Sequence, residues 1–417
     1  MNRKQLILLF VAGAVIGGLG WYRYRDQHKA WEASDPKLGQ KLLASFPMND
    51  VERVTIRQAQ GQLHLAKKNE TWVVEERGDY PANFSNISDF LRKVWEMKVV
   101  QPVKVGAAQL ARLELTAPGT GTNSGTLVEF KDKNGKLINS LLLGKKHMKE
   151  SHGDSPFGGG GWPDGRYLMV GNDPKSVAVV SDALSTIEAK PEDWLNKDFL
   201  KVENPRAISV TTSNATNNWK LARTAETNEW KLADLKPGEQ LDTGKSSSVT
   251  SALSYPSFTD VATNADPQAT GLDQPLVASL ETFDGFNYTV KLAKKSGEEN
   301  YYIKVAVSAS LPKERTAGKD EKPEDKTKLD KEFQEKKTKL EEKLKAEKAL
   351  EPWTFVVPKY TVDPLLKERK DLLVEKKEEP KPADKPEAKP GDKPEAKPTD
   401  KPNAKPDGKP DETPDDK

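Results

Sequence analysis

Four residues able to hold a metal or move a proton lie close together in the sequence: His147, His152, Asp154 and Asp164. Imidazole and carboxylate are ordinary zinc ligands. The His147–His152 spacing fits no defined metal motif, and the surrounding stretch is hydrophilic and glycine-rich, so a solvated loop is expected. Gly158–Gly161 would suit a phosphate loop only if Lys and Ser/Thr followed. Trp162-Pro163 follow instead, which points to a flexible hairpin loop. Ser124, in G-T-N-S-G, stands one place away from the serine of a hydrolase elbow. Asp132-Lys133-Asn134-Gly135 lacks the later ligands of a calcium loop and reads as a turn. His28 lies near an N-terminal apolar run and His64 on an expected strand. A Ser-His-Asp triad assembled from distant residues stays open, with nothing local pointing to it. No catalytic, cofactor-binding or metal-binding residue is assigned, no cofactor is expected, and the chain reads as non-enzymatic.

Composition narrows the classes further. The chain has 417 residues, a formal net charge of +2 and no cysteine. The near-neutral balance argues against a nucleic-acid partner, which calls for a basic excess. Without cysteine there are no disulfides, thiolate-bound metals, thiol nucleophiles or lipidated N-terminal cysteine. Hydrophobic residues make up only 35%, but that average hides segregation. Residues 312–351 hold 13 Lys+Arg and 12 Asp+Glu; residues 380–417 hold 9 Lys and 10 Asp+Glu. Neither stretch has the apolar surface to offset the entropy of ordering a core.

The tail, 376–417, is a Lys-Pro tetrapeptide repeat from Lys381 onward. Proline every fourth residue blocks helix and sheet, so an extended, disordered ribbon is expected. It reads either as a solubilising tail or as a spacer that docks on cell wall or a partner. The 312–351 block differs. From Lys326 to Leu350 it has no Pro or Gly and reads as a helix with a thin stripe of Leu329, Phe333, Leu340 and Leu344. Glu332/Lys336 and Glu341/Lys345 stand in the favourable i,i+4 order. A solvated helical insertion between two strands is expected, the alternative being an arm that docks on a partner.

The elements around these segments form an ordered plan. Arg3 and Lys4 precede an uncharged apolar run, Leu6–Tyr22, with Trp21, Tyr22 and Tyr24 at its far end. Seventeen residues approach the minimum for a membrane-spanning helix, and the aromatics suit an interfacial belt. A transmembrane signal-anchor over 5–24 is expected; a signal peptide cleaved near Gly18 or Gly20 is the alternative. Charge alone does not orient it. The layout suits a single-pass protein of a bacterial inner membrane, the bulk of the chain periplasmic.

Between anchor and tail the chain repeats itself. Val51, Val54, Ile56, Leu63 and Leu65 open one copy, followed by N-E-T-W-V-V at 69–74; Ala207–Val210, Trp219 and Leu221 open the other, followed by T-N-E-W-K-L at 227–232. The paired tryptophans, Trp72 and Trp230, read as packing residues. After Tyr80-Pro81-Ala82-Asn83, Ile87, Phe90, Leu91, Val94 and Trp95 follow a helical period, with Asn83 or Ser85 as N-cap; a weaker helix is expected near Lys245–Leu253. Asn134-Gly135 and Asp284-Gly285 mark hairpins with type I′ turns. K-D-F-L at 197–200 and K-D-L-L at 370–373 end the copies alike. The expected fold is α+β: two tandem repeated modules, 48–203 and 204–375, each a mostly antiparallel sheet with one main helix.

W-x-V, then Y-P-A-N, then the amphipathic helix of the first copy, together with Gly271-Leu272-Asp273-Gln274-Pro275 of the second, resemble a bacterial envelope family known as domain-of-unknown-function family 4340. In the first copy the second motif is matched only by Arg112-Leu113-Glu114-Leu115. The resemblance implies no catalytic residues. It implies companionship with gliding-type ABC transporter auxiliary proteins, hence an accessory or scaffold role in a transporter or motility complex, with an envelope protein as partner. Two other classes stand beside it: an envelope hydrolase with its site between the modules, and a cell-wall binding or spacer protein.

Overall fold

A computed structural model describes residues 36–119, 121, 123–149, 162–263, 266–317 and 321–375. The expected anchor, His28, the Gly158–Gly161 run, His152, Asp154 and the Lys-Pro tail lie outside the described residues. Among the described residues no helix is long and apolar enough to cross a membrane.

Two antiparallel sheets dominate. The first is built from β1 (Arg53–Gln58), β2 (Gly61–Lys68), β3 (Thr71–Val74), β4 (Tyr80–Pro81), β5 (Val99–Pro102), β6 (Thr126–Lys131), β7 (Leu137–Lys149), β8 (Trp162–Val170) and β9 (Ala178–Val180). The second is built from β10 (Pro205–Thr211), β11 (Trp219–Ala222), β12 (Lys231–Leu232), β13 (Asp260–Val261), β14 (Leu276–Thr282), β15 (Phe286–Lys294), β16 (Asn300–Ala309) and β17 (Phe355–Pro358). The strand orders are β4-β3-β2-β1-β6-β7-β8-β9-β5 and β12-β11-β10-β14-β15-β16-β17-β13. Apart from β4, the two orders are the same. Leu65 pairs with Val74, and Leu221 with Leu232, which places Trp72 and Trp230 in one register. Trp72 is buried. Trp230 packs partly against the core, with the Arg223 guanidinium 4.9 Å from its ring.

Helix α1 (Phe84–Glu96) forms where the periodicity places it. Asn83 caps it by accepting from Asn86 N–H at 3.2 Å, satisfying a donor the first turn leaves free. It buries Ile87, Phe90, Leu91 and Val94, but not Trp95. In the second half α2 spans only Thr243–Thr250, capped by Asp242.

Both hairpin turns depart from expectation. A type I′ turn needs positive φ at two residues. Here only the glycines have it, Gly135 at +75° and Gly285 at +85°. Gly135 N–H donates to Asp132 O, and Gly285 N–H to Thr282 O, so each loop is three residues closing on a left-handed glycine. The side chains of Asp132 and Thr282 select this form. Asp132 Oδ1 accepts from Asn134 N–H at 2.8 Å and Lys136 N–H at 2.9 Å, and Thr282 Oγ1 accepts from Phe286 N–H at 3.0 Å.

The charged block is a helix, α3 (Pro323–Lys348), inserted between β16 and β17. Leu340 and Leu344 pack on the core. Neither expected ion pair forms: Lys336 reaches Asp284 at 2.7 Å, and the i,i+4 pairs run in the opposite order, as in Lys328–Glu332 and Lys337–Glu341. Glu347 is carried into the core, 4% exposed. It accepts from Lys201 N–H and the Tyr288 hydroxyl, both at 2.9 Å, and burial pushes its carboxyl above the usual carboxylate range.

One hydrophobic cluster runs through both sheets, from Leu43 to Leu372. The two halves also close alike. The N-cap residues Asn83 and Asp242 donate their backbone N–H to Trp194 O and Leu372 O, at 2.7 and 2.9 Å. Leu195 and Leu373 bridge Ala82 and Leu241. The counterpart of Leu373 is thus Leu195, not the Leu200 that the K-D-x-L match suggests.

Candidate functional site

The chemistry-bearing residues of the sequence do not converge. His147 and Asp164 lie on paired strands, β7 and β8, rather than in a loop, and His147 Nδ1 meets Asp164 Oδ1 at 2.6 Å. That hydrogen bond holds the Asp164 carboxyl below its ordinary value. His64, on β2, is engaged by Glu76 at 2.6 Å and Gln62 at 2.8 Å. Each described histidine therefore faces a carboxylate, neither a serine. Ser124 Oγ is buried and has no hydrogen-bond partner among the described residues. No group of three or more His, Cys, Asp or Glu side chains is placed to hold a metal among the described residues.

A charged cluster lies where the two sheets meet. Arg77, just beyond β3, forks onto Asp260 of β13: Nε to Oδ1 at 2.6 Å and an Nη to Oδ2 at 2.9 Å. Glu192 approaches the same guanidinium at 3.4 Å. A bidentate arginine–carboxylate pair fixes orientation as well as distance. Burial opposes the Arg77 charge, and Asp260 outweighs it, so the guanidinium is held above its ordinary value. Lys197, an exposed residue, lies beside this pair. It donates to Thr259 O at 2.8 Å and lies 4.7 Å over the Phe258 ring, and burial depresses its ammonium.

Aromatic rings fill the space behind the ions. Tyr80, of β4, stands edge-on to Trp353 at 5.1 Å and to Phe258 and Phe355 at 6.0 Å. Phe199 packs on Phe258 at 5.1 Å and on Phe355 at 4.8 Å. Edge-to-face pairs at such separations each add about 0.5–1.5 kcal/mol beyond the area they bury. Burial raises the Tyr80 hydroxyl far above the phenol range. The junction is closed, and it joins the sheets.

Residues 72–275 match the family model described as domain of unknown function (DUF4340). The DUF4340 match starts at Trp72 of β3 and ends at Pro275, just before β14, so it crosses the junction and takes in both Arg77 and Asp260. The resemblance read from the sequence is shown over this range. No curated protein and no solved structure matches the chain.

Within the DUF4340 range the structure moves one motif. Gly271 adopts the left-handed conformation at φ +73°, and Leu272 beside it is buried. In the turn before β6 Glu114 holds that conformation at φ +57°, with Leu115 buried at 1%. The counterpart of Gly271-Leu272-Asp273-Gln274-Pro275 is therefore Glu114-Leu115-Thr116-Ala117-Pro118, not the segment starting at Arg112. The shared Leu and Pro spacing was the available signal.

Sequence reasoning also missed Arg166. It is 9% exposed, and donates to Gly144 O at 2.7 Å and Leu184 O at 3.2 Å. Burial depresses its guanidinium, and its bonds clamp the 183–184 loop to β7. Open grooves are found away from the junction. One of about 500 Å³, between α1 and residues 184–194, mixes Asp89, Lys93, Glu188 and Lys190, and signs this interleaved focus no field for a charged substrate.

Proposed function

We propose that the chain is a non-enzymatic envelope protein, anchored in the membrane by its N-terminal segment. Its two sheets are tandem copies of one module and act as a rigid accessory or scaffold body of a transporter or motility complex in the periplasm. The closed junction carries this reading: the bidentate Arg77–Asp260 pair and the rings of Tyr80, Phe258, Trp353 and Phe355 occupy the space where a two-module enzyme would place its cleft. Such a junction favours a fixed body over one that opens and closes. The described histidines are tied to carboxylates at separate places, which suits a structural use. The resemblance to the family and the apolar run Leu6–Tyr22 support the envelope setting.

In-cell photo-crosslinking followed by detergent purification tests the proposal. An envelope-protein adduct, including a permease or ATPase subunit, is expected. Recovery of the uncrosslinked chain alone, from cells that express it at its native level, overturns the scaffold reading.

A further inference from the structure

One edge of the first sheet presents a surface of unusual make-up. The first described residues run alongside β5. Gly39 N–H donates to Val99 O at 2.8 Å, Val99 N–H to Gln40 O at 2.9 Å, and Leu42 N–H to Met97 O at 2.8 Å. The chain's entry thus covers an edge whose peptide groups would otherwise be free to pair with another molecule. This edge exposes Leu38, 71%, and Val100, 48%, and beside Lys41 the end of α1 exposes Trp95, 43%. Exposed lysines surround them, namely Lys37, Lys41, Lys98, Lys104 and Lys175. Lys41 Nζ lies 3.2 Å from the centre of the Trp95 ring. The carboxylates facing the same edge are fewer. Glu96 is exposed; Asp182 pairs with Lys93 at 3.5 Å; Asp173 turns back to accept from Lys175 N–H at 3.0 Å. A shallow groove of about 340 Å³, lined by Pro36, Pro102, Val103, Val105 and Val177, lies where the described chain begins.

We infer that this edge rests on the anionic surface of the bilayer that holds the chain's own N-terminal segment. The inference builds on the anchored reading above. Pro36 lies within the face itself, 14 residues beyond Tyr22, where the apolar run ends. A fully extended tether of that length reaches ~50 Å, so the face stays near the membrane, and a weak contact suffices at the resulting local concentration. The chemistry fits this occupant. Lysine stems lie along apolar surface with the amines toward phosphate, while Trp95, Leu38 and Val100 suit the interfacial depth that aromatic and aliphatic side chains occupy.

The absence of native cysteine makes the test direct. The full-length chain carries one cysteine, at Leu38→Cys, Val100→Cys or the remote Lys236→Cys, and is spin-labelled in nanodiscs of zwitterionic or mixed anionic lipid. In anionic discs the labels at 38 and 100 should lose accessibility to a soluble nickel chelate several-fold, while the label at 236 stays open. High salt should restore access, because surface attraction decays within a Debye length. The double variant Lys98→Glu/Lys104→Glu should restore it too, with an unchanged unfolding midpoint, since both side chains are exposed. Equal access at all three positions in discs that retain the chain overturns the inference, as does protection that survives both salt and charge reversal. A chain not retained in the discs at all refutes the anchored reading, and the inference with it.

Discussion

The two sheets solve one packing problem in opposite ways. In the first, residues 113–115 cross over β7 at Gly144, where an added Cβ would collide with Leu113 O and the Leu115 side chain. In the second, the corresponding turn crosses β15 near Ala293, and the glycine sits on the turn instead, as Gly271. A Cβ on Gly271 would stand 3.4 Å from Ala293 Cβ, an ordinary approach. Close crossing and left-handed φ are separate demands. Glycine meets both kinds, but each half assigns it to only one. The first half leaves Glu114 in the strained conformation, and the second lets the crossing loosen enough for alanine.

The strongest way to break this comparison is Gly144→Ala. Its Cβ meets a backbone carbonyl, which cannot move aside as a side-chain tip can. A loss of about 3 kcal/mol is expected, in the upper range for overpacking. Ala293→Gly should cost only about 1 kcal/mol, the ordinary penalty of glycine in a strand. Urea unfolding of both variants measures the contrast; equal losses remove it.

Next in size is Arg77→Ala. It strands Asp260 at the junction and should cost about 2–3 kcal/mol, below the full figure for a buried pair because Asp260 is partly exposed. Because one cluster spans both sheets, intact protein should unfold in one transition. The variant should show two transitions in calorimetry if the pair is what couples the halves. A single sharp transition in the variant would assign the coupling to the aromatic rings.

Glu347 sharpens the difference that the inserted helix makes to the second sheet. Its folded pKa is raised from an ordinary 4.5 by burial. A group of this kind contributes its stability below the unfolded value and loses it as pH rises through the folded one. The native chain should therefore lose stability relative to Glu347→Gln as pH climbs from acid toward neutral. Parallel pH profiles of the two proteins would contradict this.

The smallest effect is at the turn. Glu114→Gly should gain about 0.5–1 kcal/mol by relieving a left-handed non-glycine residue, and Gly271→Ala should lose about as much. Thermal midpoints read both, and shifts in the same direction would refute the assigned correspondence.

These contrasts explain what was legible beforehand. Ile87, Phe90, Leu91 and Val94 gave α1 away because a half-buried helix repeats its burial every three to four residues. The glycines of N-G and D-G located both hairpins, because left-handed φ leaves a residue signature. The turn type did not follow, since it was decided by Asp132 and Thr282 accepting backbone N–H groups. The first-copy turn was misplaced because its marker residue is Glu114. Arg77 and Asp260 stand 183 residues apart, and no local pattern encodes such a pair. Glu347 looked like one more charge of a solvated face until Tyr288 and Lys201 were seen to hold it.

The N-cap bonds set a timetable. Asn83 waits for Trp194, and Asp242 for Leu372; β5 likewise waits for β9, and β13 for β17. Each half is sealed by its own last turn rather than by its first strands. A chain made from the N-terminus can thus finish the first half while the second is still being synthesised. Nascent chains of increasing length should gain protease resistance in two steps, the first once Trp194 and Leu195 emerge. The aromatic junction then forms last, on a surface the first half has already completed.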